Sequence, residues 1–130
     1  MKEITVVAKN DVGTLAAVAE ALGNVGVNIE AISAYGKDNS AVFRLVTNDV
    51  TTAIKSLSRI PNLRVEESSI LVLKMINRSG ELGKITRKLA NHGINLESLY
   101  IVSKASDFTE VAFKPAPQDF EKAKTALGIK

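Results

Sequence analysis

The chain has no cysteine and no tryptophan, a single histidine and three prolines, and only 5% of its 130 residues are aromatic. Without cysteine there is no disulfide, no thiol nucleophile and no Cys-ligated zinc or iron–sulfur centre. The lone His92 falls near an expected helix end, with no second carboxylate or imidazole fixed beside it by spacing, and reads as a surface residue. Long apolar runs are missing too: a run such as Ile70 to Leu73 falls far short of the roughly 20 residues a spanning helix needs. No charge of one sign dominates. Seventeen Lys and Arg against fourteen Asp and Glu leave a net charge of +3, spread along the chain, which gives no positive argument for nucleic acid. Met1-Lys2-Glu3 leads straight into a strand-like segment, so no signal peptide is read and a cytoplasmic location is expected.

What is present is a globular composition, 45% hydrophobic and 24% charged, and an internal repeat. Shifting the sequence by 67 residues aligns Asn10 with Asn77, Gly13 with Gly80, Leu15 with Leu82 and Leu22 with Leu89. Asn24, Gly26, Asn28 and Glu30 then meet Asn91, Gly93, Asn95 and Glu97. Eight identities in the 21 positions from 10 to 30 compare with about one expected from composition. The chain therefore reads as two tandem domains, 1–68 and 69–130. Units this small bury only about 60% of their unfolded surface, so mutual support or association with another chain is expected.

Each copy carries the same order of local signals. In the first, Ile4–Lys9 is a β-branched strand, followed by a turn at Asn10–Thr14. Leu15, Val18, Ala19 and Leu22 follow helical spacing, and Gly26 ends the helix. Strands are expected at 28–35 and 41–47, the latter with Phe43 and Leu45 on one face. Asn48 and Asp49 are N-cap candidates for a helix with the stripe Val50, Ala53, Ile54 and Leu57, and a last strand spans Leu63–Glu67. The order is β-α-β-β-α-β, an α+β ferredoxin-like unit with an antiparallel sheet and its helices on one face. The second copy runs 70–76, 82–91, 95–102, 109–114 and 117–127, with Pro117 near a helix start. Its last strand is expected to be short or missing, leaving a sheet edge that another repeat or subunit covers.

Function is read from the loop after the first strand of each copy. Gly13 and Gly80 let a ligand approach the main chain where helix-start N–H groups point outward, a place suited to a carboxylate. Asparagine offers both donor and acceptor atoms, so Asn10 with Asn28, and Asn77 with Asn95, can converge on an amino acid. The same glycines also suit a tight strand–helix turn, and the asparagines a structural turn. Tyr35 and Tyr100 read as packing residues, and Glu30 and Glu97 as solvated or paired strand residues.

The pattern strand–N-x-x-G-x-L–helix–G-[VI]-N-[IL]-E, present twice, resembles the ACT domain, and the whole chain resembles small stand-alone tandem ACT proteins that lack an attached enzyme. The resemblance implies a non-catalytic regulatory protein without a cofactor or metal. It would bind an amino acid at ACT–ACT interfaces, form a homodimer, and act in trans on an enzyme or transcription factor. Position by position it nominates Asn10, Asp11, Val12, Gly13, Asn28 and Ile29 in the first copy, and Asn77, Arg78, Ser79, Gly80, Asn95 and Leu96 in the second. Val12 and Ser79 stand where the family often has proline. Asp11 against Arg78 makes the two sites unequal.

Competing readings find less support. An acylphosphatase-like hydrolase needs a basic phosphate loop, whereas this loop carries Asp11 and no glycine-rich cradle. Metal transfer on this fold needs paired cysteines. RNA recognition of the RRM type needs aromatics displayed on the third strand, where Phe43 and Phe113 alternate as core residues do. A protein-interaction module without a ligand is the remaining alternative.

Overall fold

A computed structural model of the chain describes residues 1–129, which divide into two compact units, Lys2–Ser69 and Ile70 onward together with Met1. In the first, β1 (Lys2–Lys9), α1 (Thr14–Asn24), β2 (Ile29–Lys37), β3 (Ser40–Thr47), α2 (Val50–Leu57) and β4 (Arg64–Ser69) follow in order. The antiparallel sheet has the strand order β2-β3-β1-β4. Period-2 alternation sends Ile4 and Val6 of β1 and Phe43 and Leu45 of β3 to one face. There they meet Val18 and Leu22 of α1 and Ala53 and Leu57 of α2 in one core. The opposite face carries Glu3, Thr5 and Arg44. Arg44 Nη1 donates to Glu3 Oε1 at 3.0 Å, and the Glu3 side chain is fully buried. Burial works against the charge of Arg44, but its hydrogen bond to Tyr35 and the field of Glu3 outweigh it and hold the guanidinium above its ordinary pKa.

The second unit repeats the plan with β5 (Leu71–Ile76), α3 (Glu81–Asn91), β6 (Leu96–Lys104) and β7 (Phe108–Pro115). The stretch expected to be helical from Pro117 opens as a 3-10 turn at Pro117–Asp119 and becomes α4 only at Phe120–Leu127. Its sheet is three-stranded, β5-β7-β6. Among the described residues nothing fills the place that β4 takes beside β1, so β5 is an edge. The core is correspondingly small: Leu71, Leu89, Ile94, Phe113 and Ala123 are buried together. Leu127 and Ile129 pack against it from the chain's end, after Gly128 turns the backbone at φ +69°.

Two helix details differ from the sequence expectation or sharpen it. Of the four residues at helical spacing in α1, Val18 and Leu22 reach the core, whereas Leu15 and Ala19 are exposed. Asp49 is the N-cap of α2: its Oδ1 accepts the Thr52 N–H at 3.1 Å and its Oδ2 accepts the Thr52 hydroxyl at 2.7 Å. These bonds from Thr52 hold the Asp49 carboxyl below its ordinary pKa. A folded-state pKa below the unfolded one adds stability above the unfolded value, and that stability is lost as pH falls through the folded value. Asp49→Ala is therefore expected to lower the melting temperature at neutral pH and to match the parent in strong acid. A gap between parent and variant that stays constant from neutral pH to strong acid would contradict this cap. No described helix is long and apolar enough to cross a membrane.

Candidate functional site

The site is built where β1 stops and α1 starts. The Asn10 N–H donates to Asn39 O at 2.8 Å, tying the loop to the β2–β3 turn. Its side chain lies against the backbone of Gly36, where an added Cβ would stand 2.7 Å from Asn10 Nδ2. Thr14 N–H donates to Asp11 O at 3.3 Å, closing the turn. Gly13, at φ +88°, is the helix N-cap, and no side chain caps α1. That left-handed backbone is one that side-chain-bearing residues rarely adopt, which explains the glycine. Val12 stands fully exposed at the tip.

Two cavities flank this loop. One, of about 330 Å³, lies toward the open β2 edge, with Asn10, Asp11, Leu15, Ala34, Tyr35 and Phe43 among its walls. The other, of about 350 Å³, lies toward the α2–β4 connection and is walled by Lys9, Asp11, Val12, Gly13, Thr14 and Asn62 among others. We take the β2-side groove as the candidate site. It alone holds Asn10, and its walls join a polar end to an apolar one, the usual make-up of a small-molecule site.

The second unit repeats the arrangement with different chemistry. Asn77 Nδ2 donates to Ala105 O at 2.8 Å and its N–H to Asp107 O at 3.1 Å. Gly80, at φ +87°, again caps its helix, while Ser79 is exposed beside it. Arg78 Nε donates to Glu81 Oε1 at 3.0 Å, Arg78 Nη2 and Lys84 Nζ reach the same oxygen, and Glu81 is 15% exposed. Hydrogen bonds from Arg78 and then Lys84 hold the Glu81 carboxyl below its usual range. The groove here measures about 150 Å³.

The remaining nominated residues fall elsewhere. Asn28, just before β2, and Ile29, its first residue, lie at the far end of α1 from the loop, about 16 Å of helix away. Asn28 N–H donates to Asn48 Oδ1 at 2.9 Å, and its carbonyl accepts the Asn48 N–H. Asn95 N–H is held by Asp119 Oδ2 at 3.3 Å, and its carbonyl accepts the Ala116 N–H. Ile29 and Leu96 pack against the cores. Within one unit, then, the fold does not bring Asn10 to Asn28 or Asn77 to Asn95.

Residues that the sequence reading did not nominate for the site line both grooves: Leu15, Tyr35 and Phe43 in the first, Glu81, Leu82 and Ile101 in the second. Only the Arg78–Glu81 pair had a sequence signal, its i,i+3 spacing at a helix start. His92 is exposed at the end of α3, with Nδ1 2.8 Å from Lys88 O. Among the described residues no group of three or more His, Asp or Glu is placed to hold a metal ion.

No family model and no curated protein matches the chain. Solved structures do. A protein from Bacteroides thetaiotaomicron is 22% identical, with 98% of this chain and 85% of that one aligned at a TM-score of 0.85. The ligand-free regulatory subunit of aspartate kinase from Thermus thermophilus is 16% identical, covering 98% and 90% at a TM-score of 0.68. Its counterpart from Thermus flavus is 17% identical, covering 98% and 90% at 0.64. At these identities the likeness is one of fold: two tandem ferredoxin-like units with antiparallel sheets and helices.

Proposed function

We propose that the chain is a non-catalytic sensor that binds an amino acid between ACT-like units of two copies and signals in trans to an enzyme or transcription factor. The observation that carries this reading is the groove joining the Asn10–Gly13 loop to the unpaired β2 edge. The N–H groups at the start of α1 suit the ligand carboxylate, Asp11 its ammonium, and Asn10 either. The apparent obstacle, Asn28 at the other end of α1, is removed by a second copy. If two β2 edges pair antiparallel across a two-fold axis, the Asn28 end of one strand lies beside the Lys37 end and Asn10 loop of the other. The site is then incomplete in one chain, so ligand and dimer stabilise each other. A ligand with unequal affinity for two arrangements shifts their populations, and a partner reads the shift.

The test is a thermal-shift screen of the common amino acids. A ligand at about 100 times its Kd stabilises by roughly 2.7 kcal/mol, which is several degrees for a protein of this size. Asn10→Ala is expected to abolish the response to the best ligand while leaving the unliganded melting temperature within a few degrees. A flat profile across all amino acids would sink the sensor reading and favour an interaction module without a ligand.

A further inference from the structure

The two grooves are related by the repeat, yet one is open and the other holds its own charged pair. The 67-residue shift places Arg78 where the first unit has Asp11, Glu81 where it has Thr14, and Lys84 where it has Ala17. In the second unit these three side chains meet on Glu81 Oε1, and the cavity is about 150 Å³ against about 330 Å³ in the first. Pockets for small molecules run from about 300 Å³ upward. Glu81 brings a carboxylate to the start of α3, where helix N–H groups favour negative charge, and Arg78 covers it. From this juxtaposition we infer that the second unit supplies its own carboxylate where a ligand's would sit, so that each chain takes one amino acid, in the first groove. The inference rests on the sensor reading and narrows it.

The same comparison sets the ligand's side chain. Leu15, Ala34, Phe43 and the ring of Tyr35 form the first groove's walls, and its one charged wall residue is Asp11. Asp11 is taken by the ligand's ammonium. An acidic side chain would find no cation there and would face Asp11, and a basic one would compete with the ammonium for a single carboxylate. An unpaired charge brought against apolar walls is costly. The walls that one chain contributes therefore select an amino acid with an apolar side chain. In the second groove an incoming amino acid would set its carboxylate against Glu81 and its ammonium against Arg78.

Titration calorimetry on the full chain, with apolar, acidic and basic amino acids as probes, tests this. One apolar amino acid per chain is expected. Thr14→Glu, which places the Glu81 carboxylate in the first unit, is expected to raise the Kd at least about 100-fold. Asp11→Ala should weaken binding by about tenfold or more, and it guards against a Thr14→Glu chain that folds badly, as does circular dichroism of both variants. A stoichiometry of two, a preference for an acidic or basic ligand, or undiminished binding by Thr14→Glu overturns the inference while leaving the sensor reading intact. Absence of binding by every amino acid overturns both.

Discussion

Arg44→Ala is expected to lower the stability of the first unit by about 3 kcal/mol, because it takes the guanidinium donor away from a carboxylate held out of water. Glu3 lies with its side chain wholly out of water and accepts from Arg44, whose own side chain is 15% exposed. The Thr5 hydroxyl, 3.4 Å from the same carboxylate, is a much weaker donor. For a unit of under 100 residues the loss corresponds to a fall in melting temperature on the order of 10–20 °C. Urea unfolding of the parent and the variant measures it, and a loss below about 1 kcal/mol would show that water or another donor readily replaces Arg44. The repeat supplies its own control. At the positions of Glu3 and Arg44 the second unit has Ile70 and Ala112, 3% and 0% exposed, so the same place in the fold tolerates an apolar filling. Glu3→Leu combined with Arg44→Met is accordingly expected to recover most of what Arg44→Ala loses, since well-packed apolar replacements of buried pairs are often neutral or stabilising. The pair then contributes less to net stability than to fixing which residues of β1 and β3 stand opposite each other, Thr5 to Arg44.

That pair also marks the limit of what the sequence discloses. Local signals carried far: the 67-residue repeat, the glycines that fold at φ +88° and +87°, and the shortened second unit are all legible from residue types and spacing. Those features depend on backbone sterics and short-range periodicity, which act within a few residues. Glu3 and Arg44 are 41 residues apart, and only the register of β1 on β3 joins them. The clamps on Asn28 by Asn48 and on Asn95 by Asp119 are likewise long-range, although each clamping residue sits just ahead of a helix start. That Asn10 and Asn28 stand apart within one unit follows from a local fact. The chain returns along α1 before β2 begins, so a helix length separates them. The exposure of Leu15 has a related reason. Helical spacing identifies a stripe but not which part of it the sheet covers, and Leu15, at 40% exposure, lies where α1 overhangs the β2 edge and walls the groove.

Phe113→Ala is expected to remove about 3–5 kcal/mol and to unfold the second unit, whereas Phe43→Ala, with a similar loss, leaves the first unit folded. Both rings are nearly inaccessible, at 2% and 4% exposure, so the difference comes from what surrounds them. The first core joins ten buried residues and takes Leu63 and Val65 from beside and within β4. The second joins five and lacks that strand. Phe113, on the central strand opposite Leu71 of β5 and Leu99 of β6, occupies the place that Leu45 holds opposite Ile4 in the first unit. Units of this size bury the smallest share of their surface and have little stability in reserve. Hydrogen exchange separates the outcomes. In Phe113→Ala the amides of β5, β7 and α3 should lose their protection while those of β1 and β3 keep it; in Phe43→Ala the slow amides of both units should survive. Equal loss of protection in both units of Phe113→Ala would show that the two fold as one cooperative body. Retained protection in the second unit would mean that Phe120, Leu127 and Ile129, already packed on this core, collapse into the cavity.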